Sequence, residues 1–319
     1  MFIDGYKIAK KLEAELESQL RLSSSKKVCF IILGGNAATE QFVKVKSRVA
    51  ERIGLVVEVK RYAGVSSTED ARVFVREIAK DDYDGIVVQL PLLPGIDVQT
   101  VLDEVPADKD IDVLSTRAKE LYAQGVSNNV PPVARAVHEI LQACHIDLSE
   151  KQIVVAGMGR LVGESVHLMF QRMRVPHRII DNETSEEEKN LLFEDADIIV
   201  SGMGVPRAIT PAMIKEGVIL IDAGTSEQVS PFKNLFHIIQ KFWLRLSKKF
   251  SRYPSTSQIF KFVSLKIFGF SEKEFLKGDT GNKFVGDIDP ACGDKAAYMT
   301  PVPGGVGPIT IVSLLRNLL

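Results

Sequence analysis

A glycine-rich turn is the first feature of the sequence that could bind a reactive ligand. Gly157, Gly159 and Gly163 follow the apolar segment 152–156 and precede a helical pattern, with Met158 between the first two glycines. Glycine lets the backbone approach a pyrophosphate closely, and the N–H groups at the start of the helix then bind the phosphate oxygens. The turn therefore predicts a dinucleotide site, although similar spacing also occurs in tight connections that bind nothing.

An acidic residue stands at the end of the strand that follows this turn. Asp181 lies 24 residues after Gly157, a separation at which a carboxylate accepts hydrogen bonds from the hydroxyl groups of an adenosine ribose. The competing interpretation is that Asp181 only caps a turn at the strand end. The sequence leaves both interpretations open.

Three other segments combine polar side chains with turns that could face a ligand. Residues 108–112 hold three aspartates and a lysine, Gln89 ends an apolar strand, and residues 300–310 hold three prolines and three glycines. Doubly wound sheets bind ligands at the carboxyl ends of their strands, and a dense proline–glycine run forms a rigid loop with exposed amides. We predict a ligand-binding role for 300–310, whereas 108–112 could be a solvated loop and Gln89 a simple strand end.

Strand and helix patterns alternate on both sides of these segments. Apolar strands are expected at 28–33 and 85–90 with helices between them, and the pattern restarts with a strand at 152–156. Such alternation is typical of βαβ units and a parallel sheet. We therefore predict an α/β fold of two domains, joined through a helix near 132–146, with an apolar helix at about 307–319 that packs back on the first domain.

Composition and cysteine usage argue against several classes of protein. The 319 residues carry a net charge of −1, so no overall field favours nucleic acid or a membrane. Three separated cysteines form no Cys-x-x-Cys pair, which argues against a disulfide framework or a metal site and for a reducing compartment. The N-terminus does not resemble a signal peptide, and no apolar run reaches the roughly 18 residues that span a bilayer. We expect a cytoplasmic protein without a metal.

Residues 228–283 depart from the strand–helix pattern. Within them, residues 232–252 place phenylalanine, leucine and isoleucine on one helical face among several lysines and arginines. The main interpretation is an inserted helical hairpin that packs on the body of the protein or is loosely ordered. A helix that lies on a membrane or binds a partner is the second interpretation, and a segment without a selected role is the third.

Five blocks of the sequence resemble, in the same order, the bifunctional methylenetetrahydrofolate dehydrogenase/methenyltetrahydrofolate cyclohydrolase family. The blocks are residues 41–46, 84–91, 108–112, 157–163 and 300–310. The resemblance implies a cleft that holds tetrahydrofolate one-carbon derivatives, between an N-terminal α/β catalytic domain and a Rossmann-like NAD(P)-binding domain. We expect the first domain at 1–140, completed by 301–319, and the second at 141–300 with an insertion at about 228–283. The resemblance also implies a homodimer.

The resemblance implies roles for individual side chains in the folate cleft. Lys46 is similar to the family's cyclohydrolase lysine, Gln89 to the glutamine that contacts and tunes that lysine, and Asp112 to the aspartate that holds the pterin ring. Residues 42 and 46 share a helix face because they are four positions apart, so Phe42 is expected to stack on the folate. The substrate-binding residues of the last block are expected to be Pro301, Gly304 and Gly305, and Thr225 is expected to contact the dinucleotide.

The sequence departs from the family pattern inside this cleft. Phe42 stands where the family usually has tyrosine, so a hydroxyl is missing and the cyclohydrolase activity is less secure than the dehydrogenase activity. Val113 replaces a glycine, and Val133-Ala134 replaces a Thr-Pro pair. Two alternatives to the bifunctional enzyme therefore stay open: a dehydrogenase without cyclohydrolase activity, and a noncatalytic folate- or nucleotide-binding protein.

Two carboxylates bear on the choice between NAD and NADP. Glu164 follows the glycine turn at a position where family members often have a basic residue, and Asp181 ends the next strand. Both negative charges would repel a 2′-phosphate, whereas Asp181 could bind a free 2′-hydroxyl. We therefore predict a preference for NAD over the NADP that most of the family uses.

Overall fold

The structure, a computed structural model, describes residues 1–22, 25–34, 37–228 and 283–319. It contains two compact units, one made of Met1–Thr225 with Gly286–Leu319 and the other of Ser226–Val285. The amphipathic helix predicted at 232–252 lies outside the described residues. Among the described helices, none combines the length and the apolar character that crossing a membrane requires.

The N-terminal part of the first unit is built around a three-stranded parallel sheet. Its strands lie in the order β2-β1-β3. β1 is a continuous apolar run because it is the central strand and is covered on both faces. Val28, Phe30 and Ile32 pack into one core with the helices of one face, whereas Cys29 and Ile31 pack into a second core. The elements here are α1 (Gly5–Leu20), β1 (Lys27–Leu33), α2 (Ala37–Arg52), β2 (Val56–Tyr62), α3 (Thr68–Ala79) and β3 (Gly85–Val88).

Three helices connect this sheet to the next. They are α4 (Val98–Leu102), α5 (Thr116–Ala123) and α6 (Pro132–Ala143). The hydroxyl of Ser115 accepts a hydrogen bond from the amide of Ala118 and so caps the first turn of α5. α6 begins with Pro132, whose missing N–H costs nothing at a helix start. The sequence predicted α6 but neither α4 nor α5, because both are short and their polar faces hide the helical period.

The second part of the same unit contains a five-stranded parallel sheet. Its order, β10-β7-β6-β4-β5, is that of a doubly wound sheet in which β4 is flanked by β5 and β6. Its elements before the insertion are β4 (Ile153–Ala156), α7 (Gly163–Arg172), β5 (Arg178–Ile180), α8 (Glu186–Asp195), β6 (Ile198–Ser201) and β7 (Ile219–Asp222). The predicted α/β fold with parallel sheets is therefore confirmed.

The second unit is described only at its two ends. There, β8 (Ser226–Gln228) and β9 (Lys283–Val285) form an antiparallel pair. Antiparallel pairing brings the two ends of the intervening segment side by side. The predicted insertion at about 228–283 therefore begins and ends at one strand pair.

The chain returns to the first unit with one more strand and a terminal helix. β10 (Tyr298–Met299) pairs with β7 at the edge of the five-stranded sheet. The helix α9 (Val306–Arg316) then packs against α1 and α6. Its residues Ile309, Val312 and Leu315 are buried in the same core as β1, which accounts for the apolar character of the predicted C-terminal helix.

Candidate active site

Lys46 and Gln89 meet between helix α2 and the end of strand β3. The Nζ atom of Lys46 donates a hydrogen bond to Oε1 of Gln89 at 2.9 Å. Gln89 is held in place because its backbone amide donates to the carbonyl of Ile31 at 2.9 Å and its Nε2 donates to the carbonyl of Leu90 at 2.7 Å. Both functions of the Gln89 amide are thus engaged, and its oxygen is fixed toward the lysine.

Asp112 supplies a negative charge to the same place. Burial lowers the pKa of Lys46, and the charge of Asp112 works against that decrease. Burial likewise raises the pKa of Asp112, and the charge of Lys46 works against that increase. Lys46 is surrounded by protein atoms yet retains partial solvent exposure. An amine whose pKa is lowered is better suited than a solvated lysine to accept and return a proton.

The other residues of the 108–112 segment hold Asp112 in position. The buried carboxylate of Asp110 accepts hydrogen bonds from the amide of Asp112 at 3.2 Å, from the amide of Leu114 at 3.0 Å and from the hydroxyl of Ser115 at 2.7 Å. Lys109 points away and donates to the carbonyl of Asp81 at 2.7 Å. Although the sequence shows three equivalent acids, the structure gives Asp110 a supporting role and places only Asp112 beside Lys46.

Asn317 is a supporting residue that the sequence analysis missed. Its Nδ2 atom donates to the carbonyl of Ile111 at 2.8 Å and to the carbonyl of Val130 at 2.9 Å, and its Oδ1 accepts from the amide of Val130 at 3.1 Å. The end of α9 thereby fixes the turn that carries Asp112. An isolated asparagine after a helix gives no sequence signal of such a role, because its partners lie 187 and 206 residues away.

Phe42 and the 300–305 loop are held by different elements of the fold. Phe42 is one turn before Lys46 on α2, and the residue is 43% exposed, so a planar ligand could stack on it. The loop is joined instead to α1 and β7: Gly304 accepts a hydrogen bond from the amide of Gly5 at 3.0 Å, and Thr300 accepts one from the amide of Asp222 at 2.7 Å. Within the described residues, no hydrogen bond joins this loop to Lys46, Gln89 or Asp112.

Glycine is required at two positions of this loop. Gly304 has φ of +107°, which side chains rarely adopt. A Cβ on Gly305 would lie 2.6 Å from the Cβ of Thr300 and 2.7 Å from the carbonyl oxygen of Pro301. The amide of Gly305 also donates to that oxygen at 2.8 Å. Pro301, Gly304 and Gly305 therefore form one tightly folded turn.

The glycine turn between β4 and α7 has the close packing that a dinucleotide cradle needs. A Cβ on Gly163 would lie 1.7 Å from the carbonyl oxygen of Gly157, and one on Gly157 would lie 2.7 Å from the carbonyl oxygen of Gly202. Gly159 is less constrained, since its Cβ would meet nothing closer than 3.7 Å. The amide of Glu164 donates to the carbonyl of Gly159 at 3.2 Å. Among the described residues no side chain caps α7, so the other amides of its first turn can bind an anion.

Asp181 directly follows β5 and caps the next turn. Its Oδ1 accepts hydrogen bonds from the amide of Glu183 at 2.9 Å and from the amide and hydroxyl of Thr184 at 3.1 and 3.0 Å. These bonds lower the pKa of Asp181. Its Oδ2 has no hydrogen-bond partner among the described residues. The two interpretations of Asp181 are therefore compatible, because one oxygen can cap the turn while the other accepts from a ligand.

The remaining residues assigned to the cofactor lie around this turn. Met158 is half-buried within it, and Thr225 is an exposed residue just beyond β7. Glu164, in the first turn of α7, is paired with Lys119 of α5. Arg160 of the glycine turn donates to Oε1 of Gln99 in α4. These contacts join the glycine turn directly to the part of the unit that carries Lys46, Gln89 and Asp112.

Comparison with known proteins identifies the family. The model of the tetrahydrofolate dehydrogenase/cyclohydrolase catalytic domain matches residues 3–112, and the model of the NAD(P)-binding domain matches residues 131–237 and 268–319. The bifunctional protein FolD of Mycoplasmopsis synoviae is 30% identical over 313 residues, which is 97% of this chain and 93% of that protein. The corresponding protein of Staphylococcus aureus strain MRSA252 is 28% identical over 324 residues, with 99% and 94% covered.

Solved structures agree with these matches. The Trypanosoma brucei methylenetetrahydrofolate dehydrogenase-cyclohydrolase, complexed with NADP and an inhibitor, has a TM-score of 0.78 at 26% identity and covers 100% of this chain and 95% of its own. The bifunctional enzyme FolD of Campylobacter jejuni has a TM-score of 0.78 at 24% identity, covering 100% and 96%, and supports the fold.

The fold defines a two-domain α/β protein with a domain of the NAD(P)-binding type, and the structure brings together a lysine–glutamine–aspartate cluster. The chain belongs to the tetrahydrofolate dehydrogenase/cyclohydrolase family, as the five sequence blocks predicted. The family assignment and the prediction of an enzyme are therefore confirmed. The roles of individual residues and the domain limits remain predictions.

Proposed function

We propose that this chain oxidises 5,10-methylenetetrahydrofolate to 5,10-methenyltetrahydrofolate with a nicotinamide dinucleotide, and hydrolyses the methenyl compound to 10-formyltetrahydrofolate. The observation that carries this proposal is the 2.9 Å hydrogen bond from Lys46 to Gln89 beside the charge of Asp112. A lysine whose pKa is lowered by burial is suited to proton transfer, whereas a solvated lysine stays protonated.

The proposed folate residues bind the substrate and transfer a proton. The carboxylate of Asp112 can accept two N–H bonds from the aminopyrimidine edge of the pterin, which fixes the one-carbon bridge relative to Lys46. Phe42 offers a partly exposed ring for stacking. In the hydrolytic step, water adds to the methenyl carbon, and Lys46 in its neutral form takes the proton that the water loses. The bond from that carbon to N5 then breaks, N5 takes up a proton, and the hydroxyl proton is lost as the formyl C=O forms on N10. The Gln89 oxygen holds the amine in place.

The residues at the start of α7 fit a dinucleotide. Gly157 packs against the 202–203 backbone and Gly163 against the carbonyl of Gly157, so the turn is tight enough to bring its backbone close to a pyrophosphate. Amides at the start of α7 can then bind the phosphate oxygens. The bound dinucleotide supplies the hydride acceptor. Met158, Gly159 and Thr225 complete the proposed contacts on the protein side. The protein therefore contributes mostly positioning to the oxidation and proton transfer to the hydrolysis.

We also propose the domain limits implied by the resemblance. A folate-binding domain at 1–140 is completed by 301–319, and a Rossmann-like domain spans 141–300 with its insertion. The packing of α9 on α1 and α6 supports the assignment of the C-terminal segment to the first domain. The separate three- and five-stranded sheets support the division itself.

An assay of two variants on one helix tests the function. Purified protein is mixed with methylenetetrahydrofolate and NAD or NADP, and the dinucleotide and methenyl absorbances are followed. Lys46→Met should lower hydrolysis of the methenyl compound by at least about a hundredfold, the scale of lost acid–base catalysis. Lys44→Met, an exposed neighbour on α2, should match the wild type. Equal hydrolysis by both variants would remove Lys46 from the mechanism.

A dehydrogenase without cyclohydrolase activity is the second candidate, and Phe42 favours it. The phenyl ring can stack on the folate but cannot donate or accept the hydrogen bond that a tyrosine hydroxyl makes. If this candidate is correct, the wild type accumulates the methenyl product, and Phe42→Tyr increases its hydrolysis. A third candidate, a noncatalytic binding protein, requires measurable ligand binding with no dinucleotide reduction in the same assay.

We propose that the enzyme prefers NAD, mainly because of Asp181. Its Oδ2 is available to a ribose hydroxyl and would repel a 2′-phosphate. Glu164 contributes less than the sequence indicates, because Lys119 offsets its charge at 2.9 Å. Comparing kcat/KM for the two cofactors tests the preference, and a tenfold or greater advantage for NADP would contradict it.

We further propose a cytoplasmic homodimer that does not act on nucleic acid. The resemblance to the family supports the dimer, and the net charge of −1 gives no basis for binding a polyanion. Sedimentation equilibrium of the purified chain distinguishes a dimer from a monomer.

A further inference from the structure

A buried carboxylate lies between two loops at the carboxyl ends of strands β6 and β7 in the five-stranded sheet. Asp287 is fully buried. Its Oδ2 accepts hydrogen bonds from the hydroxyl of Ser201 at 2.9 Å, from the amide of Met203 at 2.7 Å and from the amide of Gly204 at 3.2 Å. Ser201 is the last residue of β6, and Met203 and Gly204 belong to the loop that follows it. One carboxylate oxygen thereby binds the end of β6 and two amides of that loop.

The same carboxylate rests on the loop that follows β7. A Cβ on Gly224 would lie 2.1 Å from Oδ2 and 2.4 Å from Oδ1 of Asp287, so the carboxylate packs against the bare α-carbon of that glycine. Gly224 directly precedes Thr225, a proposed dinucleotide contact. Asp287 therefore contacts the loops after two adjacent parallel strands, at the carboxyl edge where doubly wound sheets bind ligands.

The loop after β6 is in turn the wall against which the glycine turn packs. The carbonyl oxygen of Gly202 and the α-carbon of Met203 both lie 2.7 Å from where a Cβ on Gly157 would be. A Cβ on Gly202 would lie 2.4 Å from the Cβ of Val162, at the start of α7. A shift of the 202–204 backbone would therefore displace the glycine turn.

A second aspartate fixes the backbone of Asp287 itself. Asp222, at the end of β7, accepts hydrogen bonds from the amide of Asp287 at 3.2 Å and from the amide of Ile288 at 2.9 Å. Its own amide donates to the hydroxyl of Thr300 at 2.7 Å. The buried Oδ1 of Asp287 has no hydrogen-bond partner among the described residues. An unpaired buried oxygen costs stability, whereas Oδ2 of the same carboxylate accepts three hydrogen bonds.

We infer that Asp287 is a positioning residue for the dinucleotide site, and that it acts through the amides of Met203 and Gly204. It touches neither substrate nor cofactor. It shapes the wall behind the glycine turn and the loop that leads to Thr225. The inference rests on the proposed function, because it assumes that the dinucleotide binds at the start of α7.

Binding of NADH and NADPH, followed by the change in their fluorescence, tests this inference. Asp287→Ala should increase the Kd by about tenfold or more, because the 202–204 loop loses the carboxylate that accepts its hydrogen bonds. In Asp287→Asn, the amide oxygen can take over the three hydrogen bonds, and the Kd should return to within about threefold of the wild type. Gly224→Ala should resemble Asp287→Ala, since the new Cβ displaces the carboxylate.

Asp289→Ala is the matched control. Asp289 is two residues further on, and its carboxylate caps the amide of Ala291 at 2.9 Å. Within the described part of the chain, no hydrogen bond joins this carboxylate to either loop. This variant should lose stability but keep the wild-type Kd. If Asp287→Ala is folded, melts at a lower temperature and still binds with the wild-type Kd, Asp287 is only structural. If Asp287→Ala does not fold, Asp287→Asn and Gly224→Ala decide: wild-type binding by Gly224→Ala overturns the inference.

The design separates this inference from the proposed function. Failure of the wild type to bind either dinucleotide would refute the function. Wild-type binding with an unchanged Kd in folded Asp287→Ala would refute only the role of Asp287. In steady-state assays the positioning role should appear as an increase in the dinucleotide KM, with kcat changed much less.

Discussion

The Nζ atom of Lys119 lies 2.9 Å from both carboxylate oxygens of Glu164, so an ion pair joins helix α5 to the first turn of α7. The side chain of Lys119 is only 15% exposed and that of Glu164 36%, so solvent screens this pair less than it screens one on the open surface. The pair places a cation from the folate-binding part of the chain beside the helix start that we assign to the dinucleotide phosphates.

Removing Lys119 should change cofactor selectivity. In Lys119→Met, the charge of Glu164 is no longer offset and opposes the additional phosphate of NADP. We expect the ratio of kcat/KM for NAD over NADP to increase about three- to tenfold, which corresponds to roughly 1 kcal/mol. Glu164→Gln alone should change the ratio less than about threefold, because its charge is already paired.

The double variant Lys119→Met/Glu164→Gln is the control for this prediction. It carries neither charge, so its NAD/NADP ratio should return close to that of the wild type. A uniform decrease for both cofactors in Lys119→Met would show instead that the pair affects only the packing of α5 on α7.

Removing the charge of Asp112 should lower the pKa of Lys46 further. Burial lowers this pKa and the Asp112 charge partly restores it, so Asp112→Asn leaves the effect of burial unopposed. Nitrogen-15 NMR of labelled lysine side chains measures the titration directly. Asp108→Asn, at an exposed position four residues earlier, should leave it unchanged. An increase of the Lys46 pKa in Asp112→Asn would contradict the electrostatic coupling between the two groups.

The sequence predicts the parts of the structure that depend on local pattern. β1 was predictable because burial on both faces makes every position from Val28 to Leu33 apolar. The glycine turn was predictable because Gly157 and Gly163 leave no room for a Cβ. α8 was missed because it has a weak apolar stripe, with Phe193 as its buried residue among four glutamates and an aspartate.

The supporting contacts of the site could not be predicted in the same way. Residues 108–112 show three aspartates with no indication of which one faces Lys46, since that depends on the hydrogen bonds from Leu114 and Ser115 to Asp110. The ion pair between Lys119 and Glu164 spans 45 residues. Contacts of this kind depend on tertiary packing, which has no period in a single sequence.

Val113 has a backbone conformation that suits glycine better than valine. Its φ is +55°, and its side chain is buried. A β-branched residue in this region costs about 1–3 kcal/mol. Val113→Ala removes packing and keeps much of the strain, whereas Val113→Gly removes both. We therefore expect Val113→Gly to have a free energy of unfolding equal to or higher than that of Val113→Ala, measured by urea denaturation.

Val137 provides the matched comparison for Val113. It is also fully buried, but it lies within α6 in a helical conformation. There the glycine variant should be less stable than the alanine variant by about 1 kcal/mol. The same order at both positions would show that the conformation of Val113 carries no appreciable strain.

Asp222 should make the stability of the protein decrease as the pH rises toward neutrality. Burial raises the pKa of Asp222 from 3.8 to about 7, against hydrogen bonds from the amides of Ile288 and Asp287 that lower it. Between these two values the folded chain holds a proton that the unfolded chain has lost. The contribution of Asp222 is thus fully present below about pH 4 and is lost as the pH rises through about 7, at up to about 1.4 kcal/mol per pH unit.

Asparagine does not titrate, so comparing Asp222→Asn with the wild type isolates the effect of the Asp222 proton on stability. The free energy of unfolding of the wild type minus that of Asp222→Asn should decrease from about pH 5 to pH 7 and then level off, as measured by urea denaturation at several pH values. Asp197→Asn is the control. Burial raises the pKa of Asp197, but hydrogen bonds from Lys215 and the Gln152 amide outweigh it and lower the pKa overall, so its titration falls below this range. The difference in the free energy of unfolding between the wild type and Asp197→Asn should therefore not change between pH 5 and pH 7. If the difference for Asp222→Asn does not change either, Asp222 is ionised in the folded protein over this whole range.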